Sequence, residues 1–152
     1  FLSDTRGTGL MNRLFEKYGE YKGVIEGRPV GVLVSNGTGN TAAYALNMLE
    51  ERGVLFIGAQ TPVYEGMIIG ENAKPGDLDV NPMKSKALTN FRVSGKEDAI
   101  RLTTPKVMTL EQAIAYIDND ELVEVTPKNI RLRKRYLDPN DRKKASRQAA
   151  AA

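Results

Sequence analysis

Residues 31–53 read GVLVSNGTGNTAAYALNMLEERG. An apolar run, Val30 to Ser35, enters a turn of small residues, and a segment with Ala45, Leu46 and Leu49 at helical spacing leaves it. Phosphate-binding loops are built in this order, because glycines let a phosphate approach the backbone and a helix N-terminus offers free N–H groups. The details exclude that use. A P-loop needs G-x-x-x-x-G-K-[ST], yet Gly39 is followed by Asn40 and Thr41, Val34 stands five positions earlier, and no lysine lies near the turn. Gly37, Gly39 and Ala42 meet the looser dinucleotide pattern, but the place of the ribose-binding acid reads Gly58, Ala59, Gln60. The stretch therefore reads as a structural strand, turn and helix. The helix runs from about Thr41 to Arg52, capped by Thr38, Asn40 or Thr41 and closed by Gly53.

Working outward, residues 54–59 (VLFIGA) and 63–71 (VYEGMIIGE) read as strands, the second broken at Gly66 where a bend is cheap. The next helical pattern opens only at Thr109, so a doubly wound sheet is excluded and the chain reads as α+β. Residues 100–105 (IRLTTP) read as a strand. Thr109 opens a helix with Gln112 at the capping-box position and Leu110, Ala113, Ile114 and Ile117 on one face. Residues 121–127 (ELVEVTP) and 129–137 (NIRLRKRYL) form two last strands around a proline turn. Alternation in the second turns Ile130, Leu132 and, less cleanly, Lys134 inward, with Arg131, Arg133 and Arg135 outward. At the other end, residues 1–9 (FLSDTRGTG) resemble a helix end released by glycine, and Leu10 to Tyr18 reads as a strand without evident partners.

The chain holds 152 residues with neither cysteine nor histidine, which removes the usual zinc sites, thiol nucleophiles, Ser-His-Asp triads and imidazole acid–base chemistry. No apolar run approaches membrane-spanning length and no signal peptide is visible, so a cytoplasmic protein is expected. Net charge is only +3 but unevenly placed. Lysines and arginines crowd Lys128 to Arg147 against Asp138 and Asp141 alone, which points to a polyanionic partner, nucleic acid first. Asp118, Asp120 and Glu121 read as an acidic loop between helix and strand, not as a metal or general-acid site. The scattered methionines read as core filling.

Residues 80–100 (VNPMKSKALTNFRVSGKEDAI) show no periodicity, and so long an irregular loop in a compact domain is usually functional or disordered. Lys84, Lys86 and Arg92, with Asn90 and Phe91, suit phosphates and an unpaired base.

Residues 3–12 (SDTRGTGLMN), 44–53 (YALNMLEERG), 55–71 (LFIGAQTPVYEGMIIGE), 81–92 (NPMKSKALTNFR) and 118–137 (DNDELVEVTPKNIRLRKRYL) together resemble the C-terminal part of the TypA/BipA family of ribosome-binding translational GTPases. The resemblance spans about Ser3 to Arg147. It implies that residues 1–22 are the tail of a ferredoxin-like domain shared with the fifth domain of elongation factor G. Residues 23–137 would be the family-specific C-terminal domain, a mostly antiparallel sheet or half-barrel with two helices, and residues 138–152 a basic, flexible tail. It further implies that GTP and Mg belong to an N-terminal domain outside this chain, leaving this part with no cofactor and no enzymatic activity. The C-terminal domain would dock near the ribosomal A site as a monomer, in a factor tied to stress response. One loop, here Asn81 to Arg92, would contact large-subunit RNA and the tRNA acceptor end. The family usually reads Lys-Gly-Lys-Gln-Leu-Thr-Asn there; this chain departs at Ser85 and Ala87.

The expected RNA contacts are thus Lys84, Ser85, Lys86, Asn90, Phe91 and Arg92 on the loop and Arg131, Arg133 and Arg135 on the last strand. The competing readings are a structural or protein-interaction spacer without RNA contact, and a nucleotide-using enzyme built on residues 37–41.

Overall fold

The computed structural model describes residues 1, 5–21, 23, 28–85 and 100–150. Among these residues the architecture is α+β, with three helices and a six-stranded, mostly antiparallel sheet. In chain order the elements are β1 (Val32–Ser35), β2 (Gly39–Asn40), α1 (Ala43–Glu50), β3 (Gly53–Leu55), β4 (Pro62–Val63), β5 (Met67–Asn72) and β6 (Leu78–Val80), then α2 (Leu110–Tyr116), β7 (Glu121–Val125), β8 (Ile130–Lys134) and α3 (Pro139–Ala150). The main sheet runs β6-β1-β5-β8-β7, and β3 also pairs with β5, while β2 and β4 form a small separate ladder.

β5 organises the sheet. Its residues 68–71 pair with β1 along one edge; along the other, Met67 and Ile68 pair with β8 and Gly70 to Asn72 with β3. β1 and β3, joined by α1, therefore lie on opposite sides of an antiparallel strand and form no direct βαβ pair. All four residues of β1 are buried because the sheet is covered on both faces. Leu33, Met67 and Ile69 pack with Leu46 and Leu49 of α1; Val32, Val34, Ile68 and Leu132 pack with Ala113 of α2. Truncating such a side chain as Leu33 to alanine costs about 2–5 kcal/mol.

Several expectations hold locally. Thr109 and Gln112 make both bonds of the capping box, and Gly66 sits at φ +81, splitting the expected strand into β4 and β5. Others do not. The N-cap of α1 is Ala42, with no side-chain bond, and Gly53 is the first residue of β3 and no helix cap. A Cβ on Gly53 would lie 1.8 Å from the Glu71 carbonyl oxygen, so glycine is required there by the close approach of β3 to β5. Residues 100–105 form no strand: Lys106 gives one backbone bond to Leu55, and Glu50 accepts from the Thr103 amide and hydroxyl. Residues 10–18 form no strand either, because nothing in the described chain offers them a ladder, and Leu10, Leu14, Phe15 and Tyr18 stand exposed. Finally, a helix, α3, occupies residues 139–150 where a flexible tail was expected, while residues 23–137 hold the two expected helices, α1 and α2. Arg142 accounts for its attachment: the guanidinium bonds the Tyr136 and Leu137 carbonyls and pairs with Asp79 of β6.

The acidic 118–121 segment closes a buried ion cluster. Lys134, 2% exposed, meets Asp77 at 2.5 Å, Asp120 at 2.8 Å and Glu121 at 3.0 Å. Arg28 grips both Glu121 oxygens, at 2.7 and 3.1 Å, and lies 4.5 Å over the Tyr116 ring. Burial acts to raise the Glu121 pKa, but the Arg28 bonds and the Lys134 charge prevail and hold it below its ordinary 4.5. Burial likewise opposes the Lys134 charge, and its carboxylate partners prevail, raising it above 10.5. The Glu121 contribution to stability is therefore present above about pH 4.5 and lost as pH falls through the lowered folded value. The Lys134 contribution is present below 10.5 and lost as pH rises through the raised one. Lys134→Met should destabilise by about 1–3 kcal/mol, since buried Glu121 keeps the Arg28 charge and the partly exposed Asp77 and Asp120 lose their partner. It should also flatten the alkaline limb of the stability–pH curve. Urea denaturation at several pH values measures both.

Candidate nucleic-acid interface

The turn that resembles a phosphate loop is filled by the protein itself. Thr41 is fully buried, its hydroxyl donating to the Gly58 carbonyl at 2.8 Å and accepting from the Thr61 amide at 2.9 Å. The Ala42 amide, which a phosphate would need, donates to the Pro82 carbonyl. Neither Gly37 nor Gly39 has a positive φ. Instead, added Cβ atoms would stand 2.9 and 2.7 Å from the Met83 Cε and Sδ, so these glycines make room for Met83. Gly39→Ala should thus displace a flexible thioether, cost about 1 kcal/mol and shift the amide resonances of Met83 and Lys84. Calorimetry should show no GTP or NAD binding tighter than about 10 μM.

Met83 belongs to the root of the irregular loop. The Met83 amide donates to the Asn81 side chain at 2.9 Å, Pro82 is buried, and Lys84 and Ser85 are exposed. The segment's entry is therefore anchored and its polar residues face outward. Lys86, Asn90, Phe91 and Arg92 lie outside the described residues.

The last strand alternates as its sequence requires. Leu132 and Lys134 are buried toward α2, although Ile130, at the strand's start, is 40% exposed. Arg131 and Arg133 are half-buried and Arg135 is exposed. The three arginines are not equivalent. Arg131 pairs with Glu124 at 3.2 Å across the β7–β8 ladder, and Glu124 accepts from the Tyr64 hydroxyl at 2.5 Å. The Tyr64 bond first, and the arginines after it, lower the Glu124 pKa, while burial and Glu124 raise that of Tyr64. Among the described residues Arg133 makes one side-chain bond, at 3.5 Å to the Lys134 carbonyl.

A row of backbone bonds relates the two candidate groups. The Asn36 amide donates to Val80, Gly66 to Ser35 and Lys134 to Gly66. The ends of β6, β1 and β8 and the start of β5 are thereby aligned, so Asn81 and Arg135 leave the same end of the sheet, about 14 Å apart across three strand spacings. Residues 136–138 then pass Gly66, whose added Cβ would lie 2.7 Å from the Leu137 Cα, and α3 docks beside β6 through Arg142 and Asp79. Lys143, Lys144 and Arg147 of α3 are exposed, Lys144 pairing with Asp141 at 3.2 Å. Their crowding was legible as charge; their ordering in a helix was not, because α3 carries no apolar stripe. No group of three or more metal-ligating side chains occurs among the described residues, nor a helix long and apolar enough to cross a membrane.

The family model of the TypA/BipA C-terminal domain matches residues 30–139. The chain is 55% identical over 148 residues to the large ribosomal subunit assembly factors BipA of Haemophilus influenzae and of Buchnera aphidicola subsp. Schizaphis graminum. It is 50% identical over the same length to that of Escherichia coli K12. Each alignment covers 97% of this chain but 24% of the relative, so the chain spans about a quarter of their length. Matched by the C-terminal domain through most of its length, the chain belongs to the TypA/BipA family and represents its C-terminal part.

Proposed function

We propose that this chain is the ribosome-docking module of a translational GTPase. In this reading it contacts large-subunit RNA and the tRNA acceptor end near the A site through residues 81–92, and the RNA backbone through Arg133, Arg135 and the cations of α3. The carrying observation is the backbone row that brings the loop root and the end of the arginine strand to one end of the sheet. Relatives named as large ribosomal subunit assembly factors support the partner. GTP and Mg would be handled by a domain outside these residues, and the module itself performs no chemistry. Arg131, neutralised by Glu124, contributes less than its neighbours.

The test is co-sedimentation with large subunits over a range of KCl. Arg133→Gln with Arg135→Gln should weaken binding and reduce the salt slope by about 0.7–0.9 per lost phosphate contact, with the melting temperature nearly unchanged. Arg131→Gln alone should change the slope little. Lys86→Ala with Arg92→Ala should abolish association while circular dichroism stays native. Normal binding and slope in both double variants would make the module a spacer whose charges are only solvated.

A further inference from the structure

Away from the basic end, an apolar cleft of about 670 Å³ opens between residues 105–108 and the β7–β8 turn. Ile68, Leu132 and Ala113 form its floor, while Val107, Val125 and Ile130 line its mouth with 81%, 59% and 40% of their surfaces exposed. The turn is held open by the Thr126 hydroxyl and amide, both bonded to the Asn129 carbonyl. The opposite wall is held by the Lys106 amide on Leu55. Both walls are thus fixed by backbone bonds and the cavity between them is preformed.

Its charge is one-sided. Lys106 and Lys128, both exposed, stand among the lining residues, and no aspartate or glutamate does. Arg131, which also lines the cleft, already has Glu124. Among the described lining residues the one aromatic ring is Phe56, half-buried, and the other apolar side chains are aliphatic, so the cleft offers unpaired bases no stacking platform. Its size falls within the usual range of ligand sites, and its walls match aliphatic side chains. We propose that this cleft docks a peptide segment of a partner protein, one that inserts apolar side chains between Val107 and Ile130 and sets acidic residues against Lys106 and Lys128. This surface shares Arg131 with the arginine strand but includes neither Arg133, Arg135 nor the loop root, and stands or falls without the RNA contacts proposed above.

The test is methyl-detected NMR of the 152-residue chain. The probe is an acetylated nonapeptide of leucines alternating with aspartates and glutamates; the controls are the same peptide with every acid replaced by lysine, and a nine-nucleotide oligouridylate. The acidic peptide should shift the Val107, Val125 and Ile130 methyls saturably with a Kd below about 100 μM. Lys106→Glu with Lys128→Glu should weaken it at least about ten-fold, and Val107→Asp should abolish the shifts while the rest of the spectrum stays unchanged. Absence of saturable shifts with the acidic peptide, equal binding of the lysine peptide, or tighter binding of oligouridylate at the same methyls would each overturn the proposal.

Discussion

A strand covered on both faces and paired on both edges must satisfy every backbone group within the protein, and β5 is that strand. One edge takes β1; the other is too long for either β3 or β8 alone and is divided between them. The division has consequences. It places α1 and α2 on opposite faces, because each helix packs against the strands nearest it in space. It also requires β3 to approach without a side chain at Gly53, and it leaves β8 running parallel to β6 with their ends in register.

The ion cluster of Arg28, Glu121, Lys134, Asp77 and Asp120 secures the α2 face where the apolar packing ends. Burying these charges is costly, and their mutual bonds offset rather than exceed what hydrophobic contacts would contribute. What the cluster adds is connection. It joins residues before β1, the turn before β6, the start of β7 and the end of β8. The charged residues within this cluster are therefore structural, and the cations proposed to meet a polyanion lie outside it.

The two proposed surfaces follow from that separation. At one end the proposed contacts are cations on long side chains, which suit phosphates. At the cleft two lysines border aliphatic walls, which suits a peptide carrying both apolar and acidic groups. Each partner would be attracted by positive charge, and the surface between the charges discriminates them.

Local chemistry made much of this readable from the residues. The alternation in 129–137, the Thr109–Gln112 box and the break at Gly66 each depend on neighbours within a few positions, so a short window contains the reason. Lys134 was legible only as an inward position, since its carboxylates come from the facing end of β7, the residue before it and the distant turn before β6. Gly39 and the loop root were legible as a small-residue turn and an irregular segment. That Met83 fills the first from the second is a contact between residues more than forty positions apart. The strand expected at 10–18 and the tail expected at 138–152 failed for one reason: whether a segment is a strand or a helix depends on what receives its hydrogen bonds and side chains. Residues 10–18 find no ladder, whereas Arg142 finds Asp79. Sequence periodicity sets which face of an element is apolar; only the folded chain decides which elements meet, because that choice is made by packing and hydrogen bonding between distant segments.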